Sequence, residues 1–127
     1  MQATDEGPAR VAVLVTQGDE DTLSRMAERS KALAASGASV RVLFRDESIP
    51  WICTASVRER LAPSAPTAEG TLVDLVEAGD VRLYGCSSSL YLWGVGSEDL
   101  LPMISGARGL IAFLADDLAG SALVLSY

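Results

Sequence analysis

Residues 11–44 read VAVLVTQGDEDTLSRMAERSKALAASGASVRVLF, and the fold turns on how this stretch divides. It opens on the run VAVLV, which has no polar alternation and so reads as a strand covered on both faces. Next, Asp21 to Ser36 sets Leu23, Met26, Ala27, Ser30, Leu33 and Ala34 on one side at spacings of three and four. That spacing predicts an amphipathic helix, with Gly37 just beyond it as a stop. The apolar run at 40–44, VRVLF, closes the unit. Two strands separated by a helix fit a parallel pair, because parallel neighbours need a crossover between them.

The pattern continues outward. Further apolar runs at 81–84, 110–114 and 122–125 have strand length, and Gly70 to Ala78 reads as a short helix ended by Gly79. Ser97 to Ser105 opens with a capping serine and the acidic pair Glu98 and Asp99, which suits a helix start, although Pro102 keeps that helix short. Between Ile49 and Glu69 three prolines surround a helical piece at Thr54 to Leu61, a region that reads as a lid or a plain connection. Alternating strands and helices predict a three-layer α/β/α sandwich around a five-stranded, mainly parallel sheet. A chain of 127 residues fits one such domain, placed here at residues 10–127 behind a disordered tail at 1–9.

Composition narrows the chemistry. The formal charge is −7 and the basic residues are scattered, so a nucleic-acid backbone would be repelled. No apolar stretch reaches the ~18 residues of a membrane span, and MQATDEGPA lacks the regions of a signal peptide, so a soluble, cytoplasmic protein is expected. There is no histidine, which removes Ser-His and Cys-His nucleophiles and the commonest transition-metal ligand. Two cysteines cannot close a structural zinc site, and in the cytoplasm they read as free thiols.

In parallel sheets ligands gather outside the carboxyl ends of the strands. After the first run, Asp19, Glu20 and Asp21 would repel a phosphate and suit the positive end of a helix instead. After the third run comes Cys86, preceded by Gly85 and followed by Ser87, Ser88 and Ser89, whose hydroxyls can cap a new turn. A thiol there gains thiolate character, yet free cysteine also packs well as a small hydrophobe, and the local residues leave both readings open. Cys53 is a second candidate thiol, in a less regular segment. Leu90 to Val95 is apolar for a segment after a strand, and Trp51 adds a ring to the same edge, so this surface needs a cover from the protein's own core or from a neighbouring subunit.

The order RVAVLVTQG, LAASG, ASVRVLF, VRLYGC, WGV and GLIAFLADDLAGSALVLSY resembles the DsrE/DsrF family of small sulfur-relay proteins, which includes peroxiredoxin-like members, over nearly the whole chain. Cys86, Gly94 and Val95 match that family's cysteine and its following Gly-aliphatic pair. The resemblance implies a parallel three-layer α/β fold, homo-oligomers of three or six chains, and a cysteine that holds sulfane sulfur as a persulfide. By that resemblance Cys86 accepts sulfur from a donor protein and hands it to an acceptor thiol, with Ser87 to Ser89 steadying the anion and no metal or organic cofactor. It also places Trp51, Tyr91 and Trp93 at a subunit contact. The alternative is a non-catalytic homo-oligomeric module of the same fold, in which Cys86 is structural.

Overall fold

Strands β1 (Arg10–Val15) and β2 (Ser39–Phe44) run parallel in the computed structural model, from Arg10 opposite Ser39 to Val15 opposite Phe44, with helix α1 (Glu20–Ala35) as the crossover. The structure describes residues 9–116 and 123–127. The tail expected at 1–9 lies outside the described residues as far as position 8, and the carbonyl of Ala9 accepts a backbone hydrogen bond from Ser39 at 2.8 Å. Asp19 caps α1, accepting from the Thr22 N–H at 3.0 Å and from the Thr22 hydroxyl at 2.7 Å, so the acidic loop serves the helix start. These bonds hold the Asp19 carboxyl below its ordinary value.

Helices α2 (Ala55–Leu61) and α3 (Glu69–Glu77) lead into β3 (Val81–Cys86), which is followed directly by α4 (Ser87–Trp93). The chain ends with β4 (Ile104–Arg108), α5 (Leu110–Asp116) and β5 (Leu123–Ser126). The five strands are all parallel in the order β4-β3-β2-β1-β5. The chain therefore steps outward from β1 to β4 and then crosses back to the far side of β1.

Alternation along the strands divides the sheet into two unequal faces. Val11, Val13 and Val15, with Val40, Val42 and Phe44, join α1 and α3 in the main core through Leu23, Met26, Leu72 and Leu75. The opposite face carries a small core of Ala12, Leu43, Cys86 and Phe113, the last supplied by α5. The arrangement is a three-layer α/β/α sandwich with one thick and one thin helical layer.

Two expected elements differ. Residues 110–114, expected as a strand, form most of α5, because Leu110, Phe113 and Leu114 recur at helical spacing against the sheet while Ile111 is 82% exposed. The helix expected at Ser97–Ser105 shrinks to one 3₁₀ turn, Ser97–Asp99, and its last residues begin β4. This edge strand carries a bulge: Leu83 faces Ile104 and Tyr84 faces Gly106, leaving Ser105 as the extra residue, with Gly106 at φ +142°. The irregular region after β2 is built into the domain, since the 3₁₀ helix Asp46–Ile52 buries Ile49, Trp51 and Ile52. Among the described residues no helix is long and apolar enough to cross a membrane.

Candidate functional site

Cys86 is the last residue of β3 and the N-cap of α4. Gly85 precedes it because the main core crowds that position: a Cβ there would come within 2.8 Å of Ile52 Cδ1 and 3.2 Å of a Leu90 methyl. The next side chain must therefore point to the other face, where the thiol packs with Ala12, Leu43 and Phe113 and is fully covered. Ser88 Oγ lies 3.4 Å from Cys86 Sγ. Burial pushes the thiol up, but the Ser88 hydroxyl, the Ser89 N–H, the Arg45 guanidinium and the Ser89 hydroxyl together outweigh it, so its pKa lies below the ordinary value of 9.0.

Strand register explains how Arg45 comes to the thiol. Val15 is opposite Phe44 and Phe44 is opposite Gly85, so Thr16, Arg45 and Cys86 are the next row across the carboxyl edge of the sheet. On the other side Cys86 is opposite Arg108. Alternation from Leu43 places Arg45 on the thin face with Cys86. Arg108 reaches α5 from that row, donating to the Ala112 carbonyl at 3.2 Å and the Asp116 carboxylate at 2.9 Å, with its guanidinium carbon 5.4 Å from the centre of the Tyr84 ring.

The Arg45 corner is fixed by hydrogen bonds. Ser48 Oγ, fully buried, accepts from the Arg45 N–H at 3.1 Å, and its proton lies within reach of the Arg45 and Val15 carbonyls at 2.8 and 3.0 Å. Asp46 adopts φ +50°, an unusual conformation for a residue with a side chain. Helix α4 holds it there at both ends of its backbone: Ser89 Oγ accepts from the Asp46 N–H at 3.0 Å and Trp93 Nε1 donates to its carbonyl at 2.8 Å.

The other expected site residues separate. Ser88, itself exposed, and buried Ser89 serve the thiol, whereas the Oγ of exposed Ser87 would lie 3.7 Å from a Cβ on Gly109. Cys53 packs in the main core with its Sγ 3.4 Å from the Ile49 carbonyl, and both cysteines are free. Burial and, less strongly, the Asp99 charge push the Cys53 thiol up to about 11 against a small opposing effect of Arg60. Trp51, expected at a subunit contact, is a core residue: its ring meets Phe44 edge-on at 6.2 Å and its Nε1 donates to the Gly18 carbonyl at 3.2 Å. Trp93 is half-buried over Asp46, while Tyr91 and Leu92 are more than 80% exposed, at 83% and 81%.

Beside the row lies a cavity of about 420 Å³ at the carboxyl ends of β1 and β5, lined by Leu14, Thr16, Gln17, Arg25, Arg45 and Tyr127. It occupies the place where the strand order reverses, the crevice where open α/β sheets hold ligands. The Arg45 Nε is buried and has no hydrogen-bond partner among the described residues. Arg45 and Arg108 were not singled out from the sequence. The signal for Arg45 was its position directly after the second apolar run, and Arg108 was hidden by the bulged strand that carries it.

No protein-family model matches the chain, and no curated relative matches its sequence. Among solved structures it is similar to a protein of unknown function, MTH1491 from Methanobacterium thermoautotrophicum, with a TM-score of 0.75 over 94% of this chain and 99% of that one. The two sequences are 18% identical. This likeness shows the fold alone.

Proposed function

We propose that this chain is a cysteine-based sulfur carrier, working in the cytoplasm as a homo-oligomer, that holds sulfane sulfur as a persulfide on Cys86. The observation that supports this reading is the row at the sheet edge, in which Cys86 stands between Arg45 and Arg108 with Ser88 and Ser89 against its sulfur. Such surroundings favour an anionic sulfur, and a thiolate needs no histidine to attack a persulfide. In loading, the Cys86 thiolate attacks the outer sulfur of a donor R–S–SH, the donor's S–S bond breaks so that R–S⁻ leaves as a thiolate, and the proton stays on the transferred sulfur. In delivery, an acceptor thiolate attacks that outer sulfur and Cys86 leaves as thiolate. No electrons are gained or lost overall, so no metal or organic cofactor is called for. Because the thiol is covered at rest, loading requires the thin layer, a seven-residue helix α5 over a small core, to lift.

That same full burial favours a second reading, a non-catalytic homo-oligomeric module in which Cys86 only packs. Exposed Tyr91 and Leu92 offer a subunit contact under either reading. Intact mass after incubation with a persulfide donor separates them. A gain of about 32 Da on the wild type and none on Cys86→Ser supports the carrier. No gain on either protein, with assembly intact in both, supports the module.

A further inference from the structure

The cavity beside Arg45 is unexplained by sulfur transfer between two proteins, and its chemistry is specific. Two arginines line it and, among the described residues, no carboxylate side chain does, in a chain whose formal charge is −7. Arg25 is already paired with Asp21 at 2.9 Å, so its charge is partly spent. Arg45 is different: its Nε is buried without a partner among the described residues, a costly state for a charged donor. The same side chain stands in the sheet-edge row between Thr16, on the cavity wall, and Cys86.

We propose that this cavity binds a small organic carboxylate, with Arg45 as its anchor, and that the ligand is a low-molecular-weight hydropersulfide which loads Cys86 directly. This rests on the carrier reading above and names the donor class for it. A guanidinium meets a carboxylate through paired N–H groups along one edge. In a cysteine-derived hydropersulfide the carboxylate and the sulfur pair are two carbons apart, and the sulfur reaches Cys86, which is covered at rest and does not line the cavity, when α5 lifts. The cavity has room for an amino-acid-sized or short-peptide-sized ligand, and Leu14, Thr16 and Gln17 offer it both apolar and hydrogen-bonding walls. The step balances as before: a bond forms between Cys86 Sγ and the outer sulfur, the donor's S–S bond breaks, and the donor leaves as a thiolate carrying its carboxylate.

The test compares two donors that differ in one group, N-acetylcysteine hydropersulfide and the corresponding neutral carboxamide, by the initial rate of sulfur gain on Cys86. A charge-assisted contact of ordinary strength predicts that the wild type prefers the acid by about tenfold or more. In Arg45→Gln the preference falls to about one, and because each protein is judged by the ratio of two donors, a change in the thiol's own reactivity cancels. In the wild type, unreactive S-methyl-N-acetylcysteine slows loading from the acid donor in a saturable manner, which keeps the proposal testable should Arg45→Gln not fold. Equal loading from both donors, or no protection by the unreactive acid, overturns the donor assignment and leaves the carrier standing. Loading by neither donor overturns both.

Discussion

If the thin layer is the door to Cys86, its alkylation must respond to one core and ignore the other. Phe113 is fully buried and is the large side chain that α5 contributes to the small core around the thiol. Replacing a buried Phe by Ala costs about 3–5 kcal/mol, and a loss of about 3 kcal/mol in docking α5 raises the open population about 150-fold. Cys86 in Phe113→Ala should therefore react with iodoacetamide about two orders of magnitude faster than in the wild type. The control is Leu72→Ala, which removes a fully buried side chain of α3 in the main core and costs about 2–5 kcal/mol. That loss is shared by the closed state and by a state with α5 lifted, so local opening is unchanged and Cys86 should keep its wild-type rate. Cys53, inside the main core, opens only with it and should accelerate about 30-fold or more in Leu72→Ala. Site-resolved mass spectrometry over a time course reads both rates, and each thiol is compared with itself, so differences in ionisation between the sites do not enter. Equal acceleration of both cysteines by Leu72→Ala would refute the reasoning, because Cys86 would then be reached only through global unfolding.

Three further outcomes follow from the hydrogen-bonding and charge around these groups. Arg45→Gln removes a donor that lowers the Cys86 pKa, so the alkylation profile of Cys86 should move to higher pH and its rate at pH 7 should fall; an unchanged profile would remove Arg45 from the thiolate's support. Cys53 is raised from 9.0 to about 11 in the folded chain, so between those values the unfolded state has lost a proton that the folded state keeps. Stability from this group is full below about pH 9 and is lost as pH rises through about 11, and chemical denaturation of Cys53→Ser across that window should show a shallower decline than the wild type. Ser89→Ala strips the Asp46 N–H of its acceptor at a part-buried corner and should lower stability by about 1–2 kcal/mol, read as a drop in denaturant midpoint at unchanged slope.

The parts of the fold that were legible are those whose side chains meet a continuous core. VAVLV reads as an uninterrupted apolar run and VRVLF as one broken only by Arg41, and α1 shows its buried stripe because only one side of it meets the sheet. Residues 104–116 were not legible for the opposite reason. Strand β4 is an edge whose only core residue is Ile104, and its bulge at Ser105 breaks the alternation by which a strand is recognised. The run LIAFL is short enough to satisfy either period, and what decides it is the thin face of the sheet, which leaves Ile111 outside and takes only Phe113 fully in. For Trp51 the residues leave core and subunit contact both open and the resemblance favours the contact; the 3₁₀ turn that buries it in the core is not visible from spacing.

The same thinness decides what the candidate site can be. Sequence neighbours supplied Ser88 and Ser89, which lie within three positions of the thiol, but Arg45 and Arg108 come into its row through register from strands on either side, a relation that spacing along the chain does not carry. Of the two arginines, Arg45 acts on the thiol itself, and Arg108 acts on the helix that covers it. Arg108 binds Cys86's strand neighbour to α5 through Ala112 and Asp116, and Arg45 joins the thiol to the cavity at the strand reversal. A thiol whose only function was packing would be served as well by apolar neighbours, which do not incur the cost of a buried guanidinium nitrogen that has no hydrogen-bond partner among the described residues. The module reading accounts for the burial of Cys86 and gives the buried Arg45 Nε no role; the carrier reading proposed above takes the same burial as the resting state of a thiol that Arg45, Ser88 and Ser89 support.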